Sequence, residues 1–396
     1  MSDLSLRLLR DGYAAVARDR LAHGGGDPYV TRLLGRRTVV LRGAEGARAF
    51  YDEELVRRHR AVPPPLAWLL FGRGAMHALD GRDHRVRKLL MLDLLDEDTV
   101  APLVDDVARR LESATEADEL VVFDTLVRCY GPAVLAWAGV PLPAPQAVAV
   151  SRRLASIVDG FGFAGRAYVR AWAGRVWADR WALRVVKETR SGRRRPPKGS
   201  VLERLARTDL GDRVAAVELL NVLRPTVAVA WLGTFAAGAL AAHPELADHV
   251  ARDPDYRRAF AHEVRRTALF VPALAGRVRG STEVGGVELR PGDRVLLDVV
   301  GTDLDARYWE APAEFRPERF AGGDPDRYAM VPQGGGPPEG HRCPGEPLTV
   351  RLLEATVAML ARRRWEVASE AAIDLARIPT LPDGGLRIRA LAGAER

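Results

Sequence analysis

Residues 333–360 read "QGGGPPEGHRCPGEPLTVRLLEATVAML". A loop rich in glycine and proline leads to Cys343, and an amphipathic helix is predicted to begin near Glu346. The Cys343 sulfur therefore lies just before a helix N-terminus, where free backbone N–H groups favour a thiolate over a thiol. A thiolate is either a nucleophile or a soft metal ligand, whereas a buried packing residue is the commoner role for cysteine. Packing does not require Gly-Gly-Gly-Pro-Pro ahead of Cys343, so the sequence favours a functional cysteine.

Two charged motifs precede this loop. "HEVRR" at residues 262–266 holds Glu263 and Arg266 at i, i+3 on one helix face, and "FRPERF" follows at residues 315–320. A lone Glu-x-x-Arg is usually a modest surface ion pair. The order and spacing of the two motifs and the cysteine loop make a much more specific composite signal.

In this order the motifs resemble the cytochrome P-450 superfamily, and the resemblance covers essentially the whole chain. It implies a mainly α fold with a small β-sheet region, the haem-thiolate fold, in a single domain over residues 1–396. It also implies that Cys343 is the axial ligand of haem b (iron protoporphyrin IX), while Glu263, Arg266 and Arg319 form an ion triad behind the haem loop. The chain has no His/Asp set with hydrolase spacing, which argues against a nucleophilic role for Cys343.

A second unusual stretch, "ELLNVLRPTVAVAWLG" at residues 218–233, has Arg224 and Pro225 inside an apolar helical run. Ordinary members of the superfamily carry an acid–alcohol pair in the helix above the haem. The Arg-Pro pair instead resembles the fatty-acid peroxygenase branch, which includes alkene-forming fatty-acid decarboxylases. Four further segments match that branch, namely "LLFGRGAMHALDG" (69–81), "DHRVRKLLML" (83–92), "VDGFGFAG" (158–165) and "GHRCPGE" (340–346).

An unpaired guanidinium is costly to bury, so Arg224 requires an anion. The candidates are a protein carboxylate, a haem propionate and a substrate carboxylate. Glu218 lies six residues earlier and does not share the helix face of Arg224, and the resemblance implies other basic partners for the propionates. The substrate carboxylate is therefore favoured over a satisfied core arginine. Pro225 is expected to kink the helix and make room beside Arg224.

The resemblance implies further site residues. His77 matches a position that donates a proton or positions the substrate, with a pKa expected near neutrality. A packing residue in the loop before Asp80 is the alternative. Phe71, Val158 and Phe161 match positions that line an alkyl channel, although plain core packing is the alternative. The residues that match propionate-neutralising positions are Arg58, His84, Lys88 and His341.

The function implied is hydroxylation of long-chain fatty acids at the α or β carbon with hydrogen peroxide, with decarboxylation to terminal alkenes as a further product. The substrate carboxylate replaces the missing acid as proton carrier, so no redox partner is obligatory. One alternative is a reductase-dependent monooxygenase acting on another carboxylic acid. A non-catalytic haem-binding or fatty-acid-sensing protein is a third.

Composition limits the partners. The formal charge is +7 with pI 9.8, but the basic cluster at residues 190–200 reads as a solvated loop, and no nucleic-acid motif occurs. The apolar run 226–242 is short for a membrane span and fits a core helix. The N-terminal stretch has no apolar signal region. Two distant cysteines, Cys129 and Cys343, fit a reducing cytoplasm.

The remaining pattern indicates a helical body with a strand-rich edge. Residues 4–20 read as one amphipathic helix, and residues 29–43 as two strands around a Gly-Arg turn. Residues 95–265 read as almost entirely helical. Residues 276–302 and 381–391 are predicted to contain further strands.

Overall fold

The computed structural model describes residues 3–162, 165–368 and 372–391. Residues 163 and 164 of the 158–165 motif, and both ends of the 1–396 domain, lie outside the described residues. The helices are α1 Leu4–Asp11, α2 Ala15–Ala22, α3 Gly43–Tyr51, α4 Pro64–Leu70, α5 Gly81–Leu94, α6 Glu97–Ala114, α7 Val122–Trp137, α8 Ala144–Asp159, α9 Gly165–Arg190, α10 Val201–Ala206, α11 Asp212–Ala242, α12 Ala247–Arg252, α13 Pro254–Thr267, α14 Val299–Asp303 and α15 Glu346–Leu360.

The strands are β1 Tyr29–Leu33, β2 Arg36–Leu41, β3 Val56–Arg57, β4 Glu119–Val121, β5 Ala273–Val278, β6 Thr282–Val284, β7 Val287–Leu289, β8 Arg294–Asp298, β9 Trp365–Val367 and β10 Arg387–Ala390. They form a five-stranded sheet in the order β1-β2-β8-β5-β3, a three-stranded sheet β4-β10-β9 and the hairpin β6-β7. The β1–β2 pair confirms the two strands predicted around a Gly-Arg turn. The expectation of a mainly helical chain with a small strand-rich region is also confirmed.

Helix α11 is the central element of the helical body and packs against α7, α8, α9 and α15. Its apolar sequence allows burial on nearly every side. Gly233 permits the close approach of α7, because a Cβ there would lie 2.6 Å from Leu126 Cδ1. Tyr130 of α7 and Thr356 of α15 share a hydrogen bond of 2.5 Å between their hydroxyls. Helix α11 therefore packs against two helices, α7 and α15, that are themselves joined by a hydrogen bond.

Helix α11 is also the one helix of the described residues whose length and composition would suit a membrane crossing. In the structure, 67% of its apolar window is buried inside the protein. The expectation that residues 226–242 belong to a core helix is confirmed.

The N-terminal prediction of one helix over residues 4–20 is wrong. The chain forms α1 and α2 separated at Gly12, which has φ +52°. A Cβ at this position would lie 2.1 Å from the Leu375 carbonyl oxygen, and Tyr13 N–H donates to that same oxygen at 2.9 Å. A contact with a segment more than 350 residues away breaks the helix, and local periodicity does not report such a contact.

Candidate active site

Cys343 lies in the loop just before α15, as the sequence predicts. The backbone N–H of Cys343 donates to the Gln333 carbonyl oxygen at 2.9 Å, which closes the loop on itself. Burial raises the pKa of the Cys343 thiol, although the Gly345 N–H and the charge of Lys88 act in the opposite direction. The expectation that the helix N-terminus alone favours a thiolate is therefore wrong, because desolvation outweighs it. A bound metal cation would be needed to hold this sulfur deprotonated.

The three residues expected to form an ion triad lie together outside the cavity. Arg266 makes two hydrogen bonds of 2.7 Å to the two oxygens of Glu263, and Arg319 Nε lies 3.3 Å from Glu263 Oε1. Both groups of the Glu263–Arg266 pair are fully buried. Arg266 also donates to the carbonyl oxygens of Asp303 and Pro312. The cluster thus fastens α13 to the irregular segment that leads into the cysteine loop.

A second charged cluster next to Cys343 was missed at the sequence level. Glu346 is ion-paired to Arg265 and to Arg342, whose Nη2 donates at 2.9 Å. Arg265 Nε donates to Gln333 Oε1 at 2.8 Å, and Gln333 Nε2 donates to Thr349 Oγ1 at 2.9 Å. Burial alone raises the pKa of Glu346, but the two arginines lower it overall. The signal available in sequence was the pair of polar residues, Gln333 and Glu346, that flank the glycine-rich loop.

Above Cys343 lies a cavity of about 330 Å³ between α11, α5, the α4–α5 connection and the cysteine loop. One water needs only about 10–15 Å³ on the same measure, so the space suits a large group. Every residue expected at the site, apart from the ion triad, lines this cavity. These residues are Arg58, Phe71, His77, His84, Lys88, Val158, Phe161, Arg224, Pro225, His341 and Cys343.

Arg224 reaches this cavity from α11. The residue is 6% exposed, and among the described residues its guanidinium has no hydrogen-bond acceptor and no ion-pair partner. The Phe161 ring centroid lies 5.8 Å from its central carbon. Burial, and then the charge of Arg175, lower the pKa of Arg224 to about 9. Arg224 is therefore a cation at neutral pH that faces the cavity, and the described part of the chain offers it no anion.

Glu218 does not supply that anion. Its Oε1 accepts from Met76 N–H at 2.9 Å and from Arg87 Nη1 at 3.1 Å, while its Oε2 accepts from Asn221 Nδ2 at 3.0 Å. Helix α11 continues without a break through Pro225, which lines the cavity beside Arg224. The kink expected at Pro225 stays a prediction.

His77 lies in a short 3-10 turn, and its ring stacks on Phe71 with centroids 4.4 Å apart and an interplanar angle of 11°. Its Nδ1 has no hydrogen-bond partner among the described residues. Burial, followed by the charge of Arg224, lowers the pKa of His77 to about 3. The expectation of a pKa near neutrality is wrong, and at neutral pH His77 acts only as a neutral hydrogen-bonding group.

The four basic residues expected at the propionates gather on one side of the cavity. The rings of His84 and His341 stack with centroids 3.9 Å apart, and the Arg58 guanidinium lies 3.9 Å from the Phe50 ring centroid. Lys88 donates to the Arg342 carbonyl oxygen. Burial lowers the pKa of Lys88 to about 8 and that of His84 to about 3.

The residues present fit a haem b. Arg58 Nη1 and His84 Nδ1 are buried and lack hydrogen-bond partners among the described residues, so two donors stand ready for carboxylates. Cys343 supplies a sulfur to the lining of the same cavity. A planar group with two carboxylate substituents and a thiolate-binding metal would provide partners for Arg58, His84 and Cys343. These donors match the chemistry of iron protoporphyrin IX.

Comparisons with known proteins agree with this fit. The cytochrome P-450 family model matches residues 252–378. A mutant of cytochrome P-450SP alpha has 36% sequence identity with this chain and a TM-score of 0.92, covering 98% of both chains. Ligand-free cytochrome P-450 OleT has 30% identity and a TM-score of 0.93, again covering 98% of both.

Curated relatives match over a shorter span. Cytochrome P-450 137 of Mycobacterium tuberculosis is 28% identical over 170 residues, which is 42% of this chain and 34% of that protein. Cytochrome P-450 71A8 of Mentha piperita is 31% identical over 121 residues, 29% of this chain and 24% of that protein. The matched region thus spans about a third or less of these relatives.

The likeness to P-450SP alpha and OleT extends over nearly the whole chain. In this chain, Cys343 of the cysteine loop and Arg224 of α11 line the same cavity. The chain therefore belongs to the cytochrome P-450 superfamily of haem-thiolate oxidoreductases, with haem b as its cofactor, in the fatty-acid peroxygenase and decarboxylase branch that these two proteins represent.

Proposed function

We propose that this protein is a hydrogen-peroxide-dependent peroxygenase that hydroxylates long-chain fatty acids at the α or β carbon. The observation that carries the proposal is Arg224, a buried cation that faces the cavity with no anion among the described residues. A carboxylate is the anion that a guanidinium binds best, through two parallel hydrogen bonds. Structures of relatives support an acid ligand, since an OleT variant is in complex with arachidonic acid and P-450SP alpha with (R)-ibuprofen.

The protein would orient the fatty acid through contacts with both its carboxylate and its alkyl chain. Arg224 holds the carboxylate, which leaves Cα and Cβ as the carbons next to the cofactor. Phe71, Val158 and Phe161 offer apolar surface to the alkyl chain along the same cavity. Cys343 would hold haem b, which would supply the redox chemistry for oxygen transfer from peroxide to carbon.

Glu218, the one acidic residue among the described residues that line the cavity, and the hydroxyl of Thr226 beside Arg224 already have hydrogen-bond partners. The Glu218 oxygens accept three hydrogen bonds, and the Thr226 hydroxyl donates to the Val222 carbonyl oxygen at 2.9 Å. The substrate carboxylate, held at Arg224, would then carry a proton from one peroxide oxygen to the other. His77 is neutral and would contribute a hydrogen bond to this group rather than a charge.

The hydroxylation converts R–CH2–COOH and H2O2 into R–CH(OH)–COOH and water. The same site would also release terminal alkene, with R–CH2–CH2–COOH and H2O2 giving R–CH=CH2, CO2 and two waters. Both balances use peroxide alone as oxidant, so the proposal requires no reductase. A cytoplasmic location is proposed on the free thiols of Cys129 and Cys343.

The test supplies purified haem-loaded protein with peroxide and fatty acids of several lengths, and identifies the products. Hydroxy acids formed without any reductase would support the proposal. The matched substrate control is the primary amide of the same fatty acid, which lacks the negative charge. Equal turnover of acid and amide would contradict the role of Arg224. Activity that appears only with dioxygen and an electron-transfer system would favour the alternative, a reductase-dependent monooxygenase of another carboxylic acid.

A further inference from the structure

We propose that the outward face of α9 docks on an anionic lipid surface. This face, named the α9 face here, consists of Arg166, Val169, Arg170, Ala173, Val176, Trp177, Arg180 and Arg184, which recur at helical spacing on one side. Its position is separate from the haem cavity, and the inference does not depend on the proposed reaction.

The α9 face is apolar at its centre. Val169 is 69% exposed and Val176 is 42% exposed, which is unusual for valine in a helix. These two residues lie in a shallow groove of about 590 Å³ whose walls are Trp172, Trp177 and Trp181. The rings of Trp177 and Trp181 stack with centroids 5.7 Å apart. A groove with tryptophan walls and exposed valines is typical of a surface that meets another apolar phase.

The same face is positively charged. Arg166, Arg180 and Arg184 are exposed, and no ion pair or hydrogen bond joins them to any other described residue. The acidic residues of α9 have other partners, since Asp179 binds Arg175 at 2.6 Å and Glu188 lies 3.5 Å from Arg194. The nearby α8 adds Arg153, whose guanidinium lies over the Trp177 ring at 4.4 Å. A partner that fits the α9 face must therefore have both an apolar region and negative charge.

A lipid bilayer with anionic headgroups meets both demands. Arginine side chains reach phosphates while their stems stay in apolar surroundings, and tryptophan rings lie at the headgroup level. A helix of 26 residues is roughly 39 Å long, so it can lie flat along such a surface. Nucleic acid would neutralise the arginines but leave the valines uncovered. A second copy of this chain would set the same arginines against each other in a two-fold contact.

The test measures flotation of the haem-loaded protein with vesicles. One set is pure phosphatidylcholine, and the other contains roughly 30 mol % phosphatidylglycerol. We expect binding to the anionic vesicles at least tenfold stronger than to the neutral ones. The double variant Arg180→Glu, Arg184→Glu should lose that binding at least tenfold, and Val169→Ser, Val176→Ser should weaken it without changing net charge.

The matched control is Arg32→Glu, Arg36→Glu on the β1–β2 hairpin, where both side chains are exposed and carry no ion pair to a described residue. It changes net charge equally and should retain wild-type binding within about twofold. Equal loss in this control would overturn the proposal, because nonspecific net charge would then explain the binding. Absence of binding to anionic vesicles would overturn it as well. So would a wild-type dimer in size-exclusion chromatography that the Arg180→Glu, Arg184→Glu variant converts to monomer. Haem absorbance of each variant checks that folding is intact.

Discussion

Arg175 on α9 and Arg224 on α11 are two buried guanidiniums that repel each other. Burial lowers the pKa of Arg224 to about 9, and the charge of Arg175 contributes to that shift. Arg175 is 1% exposed, and its one hydrogen bond to another described side chain is Nη2 to Asp179 Oδ1 at 2.6 Å. A carboxylate bound at Arg224 would relieve this repulsion. Positive charge from two helices thus supports a single anion site.

Acid binding should fall at high pH. The pKa of Arg224 is lowered to about 9, so its cationic form, which binds the carboxylate, predominates at neutral pH and is lost as pH rises through that value. A spectral titration with fatty acid across this range checks the limb. Bound acid raises the pKa of Arg224. The dissociation constant at each pH should therefore be obtained from additions of fatty acid that leave most of the protein unliganded. Affinity that stays constant well above this pH would contradict the assignment.

Removal of Arg175 should shift the loss of acid affinity at high pH to a higher pH. In Arg175→Met, a buried charge is replaced by an apolar chain of similar length, and the pKa of Arg224 should rise because the like charge is gone. We expect acid affinity near neutral pH to weaken severalfold, since one cation is lost, while the high-pH limb shifts to higher pH. Asp179→Asn is the control, because it removes the partner of Arg175 and keeps the cation. A limb that does not move in Arg175→Met would show that the two arginines are not coupled.

Gly72→Ala should be more harmful than Gly74→Ala. Both glycines have positive φ, +91° and +79°, so each substitution carries similar backbone strain of about 1–2 kcal/mol. A Cβ at Gly72, however, would lie 2.3 Å from Arg175 Nη2 and 2.8 Å from Val217 Cγ1, whereas at Gly74 the nearest atom is Val214 Cγ2 at 3.4 Å. Denaturant unfolding should show a larger loss in the free energy of unfolding for Gly72→Ala. Acid binding should also weaken in this variant, because Phe71 of the cavity lining precedes Gly72 in the chain. Equal losses would mean that Arg175 moves aside freely.

Much of the site could be predicted from residues whose chemistry does not suit the local sequence around them. Arg224 in an apolar helix and Cys343 after a glycine-rich loop both contradict simple packing, and each lies in the cavity. The start of α15 at Glu346 also follows from local chemistry. These features concern residues close in sequence, for which propensity and capping are sufficient.

Tertiary context decided the rest. The pKa of His77 depends on burial and on Arg224, which lies on a different helix. The cluster of Arg265, Glu346 and Gln333 forms only when α13 meets the cysteine loop. The break at Gly12 is caused by contact with Leu375. None of these long-range contacts leaves a periodic signal in one sequence.

Glu263→Gln should unfold the haem-binding region. The substitution removes the negative charge that lies between Arg266 and Arg319, and leaves buried guanidiniums without compensation. We expect a loss of about 3–5 kcal/mol in the free energy of unfolding, together with reduced haem content. The control is Glu288→Gln, whose partner Arg290 lies 2.8 Å away in an exposed pair. That variant should unfold at the wild-type denaturant midpoint, and similar behaviour of the two variants would refute a structural role for the buried cluster.

The pH profile of turnover should lack a histidine limb between about 5 and 8. Because burial and the charge of Arg224 lower the pKa of His77 to about 3, its imidazole stays neutral throughout that range and does not change protonation state. His77→Gln keeps a neutral hydrogen-bonding group, so it should retain most activity and the same flat profile. His77→Phe should preserve the stacking on Phe71 but remove the polar atoms, and should change the ratio of hydroxy acid to alkene. If the wild-type rate instead titrates near the ordinary histidine pKa, and His77→Gln abolishes that limb, His77 acts as an imidazolium and the desolvation argument fails.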